Sequence, residues 1–421
     1  MRVAFPGLAY SPVEIPESCL LGNYGPATLR SRETVERQLA VSLARPLGSE
    51  PLDSRLRPGM RVLLIVGDRT SAAPTARLLP ALLDAIQAAG VARADVDLLV
   101  ATASRCPMTS EELRHKLGPT IVDGFPVAQH QWRDWSQLRR LGPTTGGYPV
   151  VVNRKVVEAD FVIALHAVVP DRVGGYSGGY EVIAPGCLGD THSTLDVRWQ
   201  AARYPANAIL GVASNPVRQI IDEIGKIAGL DFVVQVVQDG RGETVDVVAG
   251  APDVAYSASA GTALQIYGVD VPAPADVVVA VARPDEGNLF QAAKALYAAS
   301  LAARPGGAVI LVAECPEGVA PAHPEILQRR AGPVADIDRD LSLGKLTDVV
   351  SGAFLAMVSR AIAPLGLCYL VSSGVSEREA ACLGFQSAPS PGNALARARQ
   401  LIGPAATVLI LRDATLVVPR T

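Results

Sequence analysis

The sequence has 421 residues, of which 49% are apolar and 5% aromatic, and its formal net charge is −3. This length allows a large aliphatic core and predicts two domains, while the slightly acidic balance excludes the basic surface of a nucleic-acid-binding protein. The six cysteines form no C-x-x-C pair and no apolar run approaches the ~18 residues of a membrane span. With no signal peptide at the N-terminus, we expect a soluble cytoplasmic protein with no membrane or nucleic-acid partner.

Strands and helices are predicted to alternate along the first part of the chain. The lead-in of 57 residues is irregular except for one helix near 31–47, and a second helix begins after Met108 with Thr109 and Glu112 at capping-box spacing. The remaining predicted helices are 74–89 and 216–229, and the predicted strands are 61–66, 97–102, 149–153, 161–169 and 231–238.

A second alternating run follows a Pro-rich linker at 271–275. Its predicted helices are 288–303 and 337–362, and its predicted strands are 276–282, 308–313, 367–372, 407–411 and a final edge strand. The alternation predicts an α/β protein with two Rossmann-like domains, 1–270 and 271–421. Ligands of such folds bind at the carboxyl ends of the strands, so the interdomain cleft is the expected site.

The stretch 174–189 is rich in glycine and follows the apolar strand 161–169 directly. A glycine-rich turn after a buried strand can bring backbone N–H groups close to an anion. The alternative is that these glycines only make tight turns between packed elements. Because the stretch also carries charged and hydroxyl side chains, we predict that it belongs to a site.

Three loops of the first domain, 67–71, 103–107 and 170–181, should converge with the segment 285–294 of the second. Their cations suit a carboxylate or phosphate ligand, since guanidinium groups match such anions; ordinary surface ion pairing is the alternative. The residues predicted to bind the ligand are Asp68, Arg69, Thr70, Arg172, Tyr176, Ser177, Gly178, Gln291 and Lys294.

The five histidines show no metal-ligand spacing. His115, His166 and His323 are predicted to be, respectively, solvent-facing, part of the core and part of a Pro-rich loop without function. Only His130 and His192 are candidates for a functional role. Ser177 lies in a Gly-x-Ser-x-Gly pattern, but the loop is rich in glycine throughout, so this pattern does not predict a serine hydrolase.

Several stretches resemble the nickel-dependent lactate racemase family in the family's own order. They are 63–70, 101–109, 141–145, 149–154, the glycine-rich stretch, 215–218, 229–232 and 288–294. The resemblance implies two α/β domains with the site in the cleft. It also implies a nickel pincer nucleotide as cofactor, and racemisation by hydride transfer with two histidines as general acid and base.

The chain departs from this family at four functional positions. Arg105 and Asp171 stand where the family has its catalytic histidines, Glu181 where it has the lysine that tethers the cofactor, and Val197 where it has the nickel-binding histidine. Arginine stays protonated at physiological pH, and valine cannot bind a metal. The family's usual mechanism is therefore not expected here.

We predict a divergent relative that binds a small anionic ligand, a hydroxy acid or a nucleotide, and that is a racemase or epimerase if it is an enzyme. The predicted catalytic residues are Arg105, Asp171 and Glu181, with one carboxylate as acid/base and Arg105, Arg172 and Lys294 orienting the anion. One alternative is an inactive binding protein or a partner subunit of an active paralogue, and a homo-oligomer is equally open. Another keeps the pincer nucleotide without a covalent bond, with His192 as a metal ligand.

Overall fold

The computed structural model of the chain describes residues 1–29, 31, 33–191 and 194–420. The strands, in chain order, are β1 (Arg2–Val3), β2 (Val13–Glu14), β3 (Leu20–Tyr24), β4 (Val62–Gly67), β5 (Val96–Ala101), β6 (Val127–Gln129), β7 (Leu138–Arg140), β8 (Val151–Asn153), β9 (Phe161–Ala167), β10 (Pro170–Asp171), β11 (Gly175–Tyr176), β12 (Phe232–Gln238), β13 (Thr244–Gly250), β14 (Gly268–Asp270), β15 (Ala275–Val281), β16 (Ala303–Val312), β17 (Leu367–Val371), β18 (Gln386–Ser387), β19 (Val408–Leu411) and β20 (Val418–Arg420).

The α-helices surround two sheets built from these strands. In chain order they are α1 (Val35–Ala44), α2 (Leu52–Arg55), α3 (Thr75–Ala88), α4 (Ser110–Leu117), α5 (Pro119–Gly124), α6 (Arg154–Glu158), α7 (Val197–Ala202), α8 (Ala206–Ile209), α9 (Pro216–Ala228), α10 (Pro252–Tyr267), α11 (Leu289–Ala292), α12 (Lys294–Ala302), α13 (Val334–Ser342), α14 (Val349–Ile362), α15 (Glu377–Cys382) and α16 (Pro391–Ile402).

The first sheet has six strands in the order β13-β12-β9-β4-β5-β6. All neighbours are parallel except β13, which pairs antiparallel with β12 at one edge. Every residue of β4 is buried, as expected for a parallel strand covered by helices on both faces. Its neighbours β5 and β9 end beside it, so their following loops share one edge of the sheet.

The second sheet is wholly parallel, in the order β18-β17-β16-β15-β19-β3. Its edge strand β3 comes from the lead-in of the chain and pairs with β19. Val3, Phe5 and Ile15 pack into the same core as Val277 and Ile310 of this sheet. The predicted α/β class with two domains is confirmed. The boundary at residue 270 stays a prediction, and the topology shows that 20–24 belong to the second sheet.

The predicted strands of both domains are found within one or two residues of their expected ends, apart from 308–313, which is extended at its start to β16. The expected capping box is present at the start of α4, where Thr109 and Glu112 each bond the other's backbone N–H. Asn288 caps the start of α11, where its side chain accepts a hydrogen bond from the N–H of Gln291. These local signals are reliable because the capping side chain and the N–H it satisfies lie within one turn.

Two predicted helices are wrong in length. The stretch 337–362 is not one helix but α13 and α14, separated by a turn in which Gly344 adopts φ +66°. The stretch 288–303 is likewise split into α11 and α12, between which Ala293 has φ −60° and ψ −13°. The apolar periodicity of the sequence continues through both breaks, so it did not predict them. In the described part of the chain, no helix combines the length and the apolar character needed to cross a bilayer.

Candidate functional site

A cavity of about 530 Å³ lies between the two domains, beside the carboxyl ends of β4, β5 and β9. Its position fits the expectation that ligands of such folds bind where parallel strands end. The predicted site residues that line it are Asp68, Arg69, Thr70, Arg105, Asp171, Arg172, Ser177, Glu181, Gln291 and Lys294. The other two, Tyr176 and Gly178, are buried and do not line it.

One corner of the cavity is built on the buried carboxylate of Asp68. Its Oδ2 accepts a hydrogen bond from Nε of Arg105 at 2.5 Å, and its Oδ1 accepts from the N–H and the hydroxyl of Thr70 at 3.0 and 2.7 Å. Burial acts to raise the pKa of Asp68, but Arg105 and Thr70 outweigh it and hold that pKa below its usual value. The terminal nitrogens of Arg105 have no hydrogen-bond acceptor among the described residues, so they can bind an anion.

Arg69 links the two domains across the cleft. Its guanidinium lies 3.2 Å from Glu112 of the first domain and 3.2 Å from Glu317 of the second. Glu317 also accepts a hydrogen bond from Asn288 at 2.8 Å. All three charged groups are partly exposed, so each pair is worth only about 0.5 kcal/mol. These contacts leave Arg69 less available to a ligand than Arg105.

A second cationic group reaches the cavity from just before the glycine-rich stretch. Arg172 donates to the backbone carbonyl of Phe290 at 2.9 Å, and its guanidinium lies 4.4 Å from the centre of that ring. Gln291 and Lys294 face the same cavity from α11 and α12. Within the described ranges Lys294 makes no ion pair, so its ammonium group can take part in binding an anion.

Asp171 caps its own loop. Its Oδ1 accepts hydrogen bonds from the N–H groups of Val173 and Gly174, at 2.7 and 2.8 Å. This is the local turn that aspartate side chains commonly make. The engaged carboxylate favours a structural role for Asp171.

The glycine-rich loop is bound to the protein's own side chains. The N–H of Gly179 donates to Gln235 Oε1 at 2.6 Å. Arg218 donates to the carbonyls of Tyr176 and Gly178, at 3.3 and 2.9 Å. The loop continues into a short 3₁₀ turn at Gly179–Val182. The loop therefore positions its side chains, while this part of its backbone is already occupied.

Glu181 faces a histidine that was predicted to belong to the core. His166 lies near the end of β9 and lines the cavity, with Nδ1–H donating to the carbonyl of Ala167 at 2.6 Å. Its Nε2 lies 3.6 Å from Oε2 of Glu181, an ion-pair separation. The Glu181 side chain is 17% exposed, yet Oε2 itself is shielded and lacks a hydrogen-bond donor among the described residues. Burial raises the pKa of Glu181, although His166 acts to lower it.

Replacing Glu181 by glutamine is expected to stabilise the protein by about 1 kcal/mol at pH 8, because an amide removes the cost of a buried, undersaturated carboxylate. The raised pKa of Glu181 sets the sign: its stabilising contribution is complete below the ordinary value of 4.5 and is lost as the pH rises through the folded-state pKa. The difference should therefore shrink towards pH 4. Urea unfolding at both pH values measures it.

The exposed Glu50→Gln variant is the matched control, with an expected change below about 0.5 kcal/mol at either pH. An E181Q variant that is less stable than the parent at pH 8 would show that the carboxylate is held by favourable contacts instead.

A second histidine overlooked in the sequence lies on the opposite wall. His323 is 2% exposed and lines the cavity. Its Nδ1 lies 2.8 Å from Oδ2 of Asp348, and its Nε2 lies 3.1 Å from the hydroxyl of Ser104. The sequence predicted only a histidine in a Pro-rich loop without function and gave no sign of these contacts, because neither Asp348 nor Ser104 is near His323 in sequence. A Ser, a His and an Asp thus meet in the cleft.

Of the two histidines predicted to be of interest, the described one is not part of this arrangement. His130 is 1% exposed, its Nε2 donates to the carbonyl of Leu188 at 2.9 Å, and burial lowers its pKa to about 4. It is a structural residue. His192 lies outside the described residues. In the described part of the chain, no group of three His, Cys, Asp or Glu side chains could hold a metal ion.

The profile of a lactate racemase N-terminal domain matches residues 7–194. A lactate racemase from Thermoanaerobacterium thermosaccharolyticum is 28% identical over 284 residues, which cover 66% of this chain and 65% of that protein. The match therefore spans slightly less than two thirds of this relative. A lactate racemase from Lactiplantibacillus plantarum is 26% identical over 293 residues, covering 69% of this chain and 68% of the relative.

Two solved structures share the fold. The lactate racemase apoprotein from T. thermosaccharolyticum superposes with a TM-score of 0.86, at 23% identity and with 100% of both chains covered. A crystal structure of a Thermotoga maritima protein superposes with a TM-score of 0.74, at 17% identity, covering 93% of this chain and 100% of the other. The whole chain, including its second domain, thus follows one known two-domain architecture.

Proposed function

This chain belongs to the lactate racemase family, and we propose that its interdomain cleft binds a small hydroxy acid and inverts the configuration at the α-carbon. The supporting observation is that Nε2 of His166 faces Oε2 of Glu181 at 3.6 Å, in a cavity that also holds free cationic nitrogens. The catalytic groups would differ from those of the family, since Arg105 and Asp171 occupy the expected histidine positions.

Binding of the substrate carboxylate falls to Arg105 and Lys294. The guanidinium of Arg105 is anchored through Nε on Asp68, which leaves its terminal nitrogens for a carboxylate. Lys294 approaches from the second domain and adds a point charge. An anion bound between the two would contact both domains and would exclude water from the cleft.

The proton transfer falls to His166. Because Nδ1–H is held by the carbonyl of Ala167, Nε2 is the nitrogen that can accept a proton, and Glu181 stabilises the imidazolium that forms. Loss of the α-proton leaves an enediolate whose negative charge Arg105 can stabilise. Return of a proton to the opposite face, from water or from a hydroxyl on the other wall, gives the opposite stereoisomer.

Among the described residues, those that the resemblance places at the attachment points of the nickel pincer nucleotide do not fit this cofactor. Glu181 occupies the position of the tethering lysine, and a carboxylate cannot form the same linkage. Val197, at the position of the nickel-binding histidine, is the first residue of α7 and is 1% exposed. An apolar side chain offers no metal ligand. The proposed reaction therefore assigns no step to this cofactor.

The test is exchange of the α-proton of lactate and related hydroxy acids in D₂O, followed by NMR together with chiral analysis of the product. His166→Gln is expected to lower the exchange rate by about 10²-fold, the usual contribution of a general base. His115→Gln, on the exposed face of α4, is the matched control and should exchange at the parent rate.

Equal rates for the two variants would remove His166 from the mechanism. Failure of the parent protein to exchange any hydroxy acid, when a thermal shift shows that the acid binds, would leave a binding or partner-subunit role. A shift with mononucleotides alone would replace the hydroxy acid as the ligand class.

A further inference from the structure

We propose that Ser104, His323 and Asp348 form an activated-serine site for acyl transfer from a small ester or thioester, an activity separate from stereoinversion. The hydroxyl of Ser104 donates to Nε2 of His323 at 3.1 Å, and Nδ1–H of His323 donates to Asp348 at 2.8 Å. All three side chains are buried, and Ser104 and His323 line the cleft cavity. Nucleophile, base and orienting carboxylate are thereby in hydrogen-bonded sequence.

The base is held in one orientation. The His323 ring lies 5.3 Å from the ring of Phe290 and 5.9 Å, edge to face, from Trp132. Because Nδ1–H of His323 donates to Asp348, the ring is held in the tautomer whose Nε2 can accept the serine proton. Such fixation is what separates a catalytic base from a histidine that merely fills space.

The carboxylate that orients the ring is itself fixed. Asp348 caps α14, where its oxygens accept from the N–H of Val350 at 3.1 Å and from the hydroxyl of Ser351 at 2.7 Å. Burial acts to raise the pKa of Asp348, but the hydrogen bond and charge of His323 and the other donors outweigh it and lower that pKa to about 2. Asp348 is therefore ionised throughout the physiological range.

The nucleophile lies on a strained turn. Ser104 follows β5, and the preceding Ala103 adopts φ +51°, which costs a residue with a Cβ atom about 1 kcal/mol or more. That conformation is held by the hydrogen bond from the N–H of Ala103 to the carbonyl of Gly186 at 2.9 Å. Strain of this kind accumulates where a side chain has to be presented to a ligand.

Arg105 can also supply a positive charge opposite the oxygen of the acyl group. Arg105 directly follows Ser104, and its terminal nitrogens lack acceptors among the described residues. A tetrahedral intermediate on Ser104 would carry one negative charge, which a guanidinium in the same cavity stabilises. The cavity of about 530 Å³ favours a substrate with a small acid portion. The charge of Arg105 favours an acid portion that is also polar.

The chemistry balances without a further reactant except water. Oγ of Ser104 forms a bond to the carbonyl carbon while its proton passes to Nε2 of His323. The tetrahedral intermediate then collapses, the bond from the acyl carbon to the alkoxide or thiolate breaks, and this leaving group takes the proton from His323. Water then attacks the acyl-serine with His323 as base, which releases the acid and restores the hydroxyl.

The experiment treats the folded full-length protein with diisopropyl fluorophosphate, a small serine-directed probe, and locates the adduct by peptide mass spectrometry. Labelling of Ser104 is expected, and His323→Gln should lower the labelling rate by about 10²–10³-fold. Ser71→Ala, which removes another cavity-lining serine that has no histidine partner, should label at the parent rate. Hydrolysis of p-nitrophenyl acetate should fall in parallel in Ser104→Ala.

Absence of an adduct on Ser104 in the parent protein would overturn the proposal, and so would equal labelling rates in the parent and in a folded His323→Gln variant. The parent result does not depend on any variant folding. It also does not depend on exchange of hydroxy acids, so this proposal and the isomerase proposal fail or succeed separately.

Discussion

Substitution of Gly175 by alanine is expected to destabilise the protein by about 3 kcal/mol and to displace the glycine-rich loop. Gly175 has φ +87°, and an added Cβ would lie 2.1 Å from the backbone carbonyl oxygen of Val212. That carbonyl cannot move easily, since the N–H of the neighbouring Gly211 is bonded to Gly175 itself at 3.0 Å. The left-handed backbone costs an alanine about 1–2 kcal/mol of stability, and the clash costs a further ~1–3 kcal/mol. Urea unfolding measures the sum.

Gly229→Ala provides the matched control for backbone strain. Gly229 ends α9 with φ +85°, nearly the same angle, and nothing lies within 4 Å of its added Cβ. It should cost only about 1 kcal/mol. If both variants lose the same stability, the contact with Val212 contributes nothing and the loop must relax freely.

Arg218→Ala is the second large effect, with an expected loss of about 3–5 kcal/mol. The guanidinium is 2% exposed and bonds the carbonyls of Tyr176 and Gly178 as well as Asp222 at 2.8 Å. It also lies 3.4 Å from the centre of the Tyr256 ring. Truncation leaves two buried carbonyls without a donor and a half-buried carboxylate without its cation.

Arg61→Ala tests whether burial causes this loss. Arg61 makes a two-pronged contact with Asp160, at 2.9 and 3.1 Å, but the two side chains are 62% and 40% exposed. Its removal should cost far less stability than the removal of Arg218, because solvent screens an exposed ion pair. Comparable losses in the two variants, measured by urea unfolding, would contradict the reasoning for Arg218.

The strands and capped helices could be predicted because their signals are local. β4 is a continuous apolar run, and the capping box of α4 lies within four residues. The pairing of β3 with β19 could not be predicted, since it joins residues nearly 390 positions apart and its five residues are not distinctly apolar. Register between distant strands depends on tertiary packing, which periodicity does not encode.

The cleft was correctly expected at the carboxyl ends of the strands, but two of the histidines that line it were not expected there. His166 was assigned to the core because its strand is otherwise apolar, yet the end of a parallel strand opens onto the site. A single polar side chain near that end was the available signal. His323 gave none, because its partners Ser104 and Asp348 come from other segments and, in the case of Ser104, from the other domain.

The lead-in strand β3 has a consequence for dissecting the molecule. A fragment that begins at residue 271 would lack this strand and would present the bare edge of β19, whose four residues are all buried in the intact protein. Unprotected edges pair with other chains and promote aggregation. The chain also crosses between the domains near residue 25 as well as near 271, so two backbone segments join the domains. To keep β3 on this sheet, a separate second domain would be built as a permutant in which 1–25 is joined after residue 420.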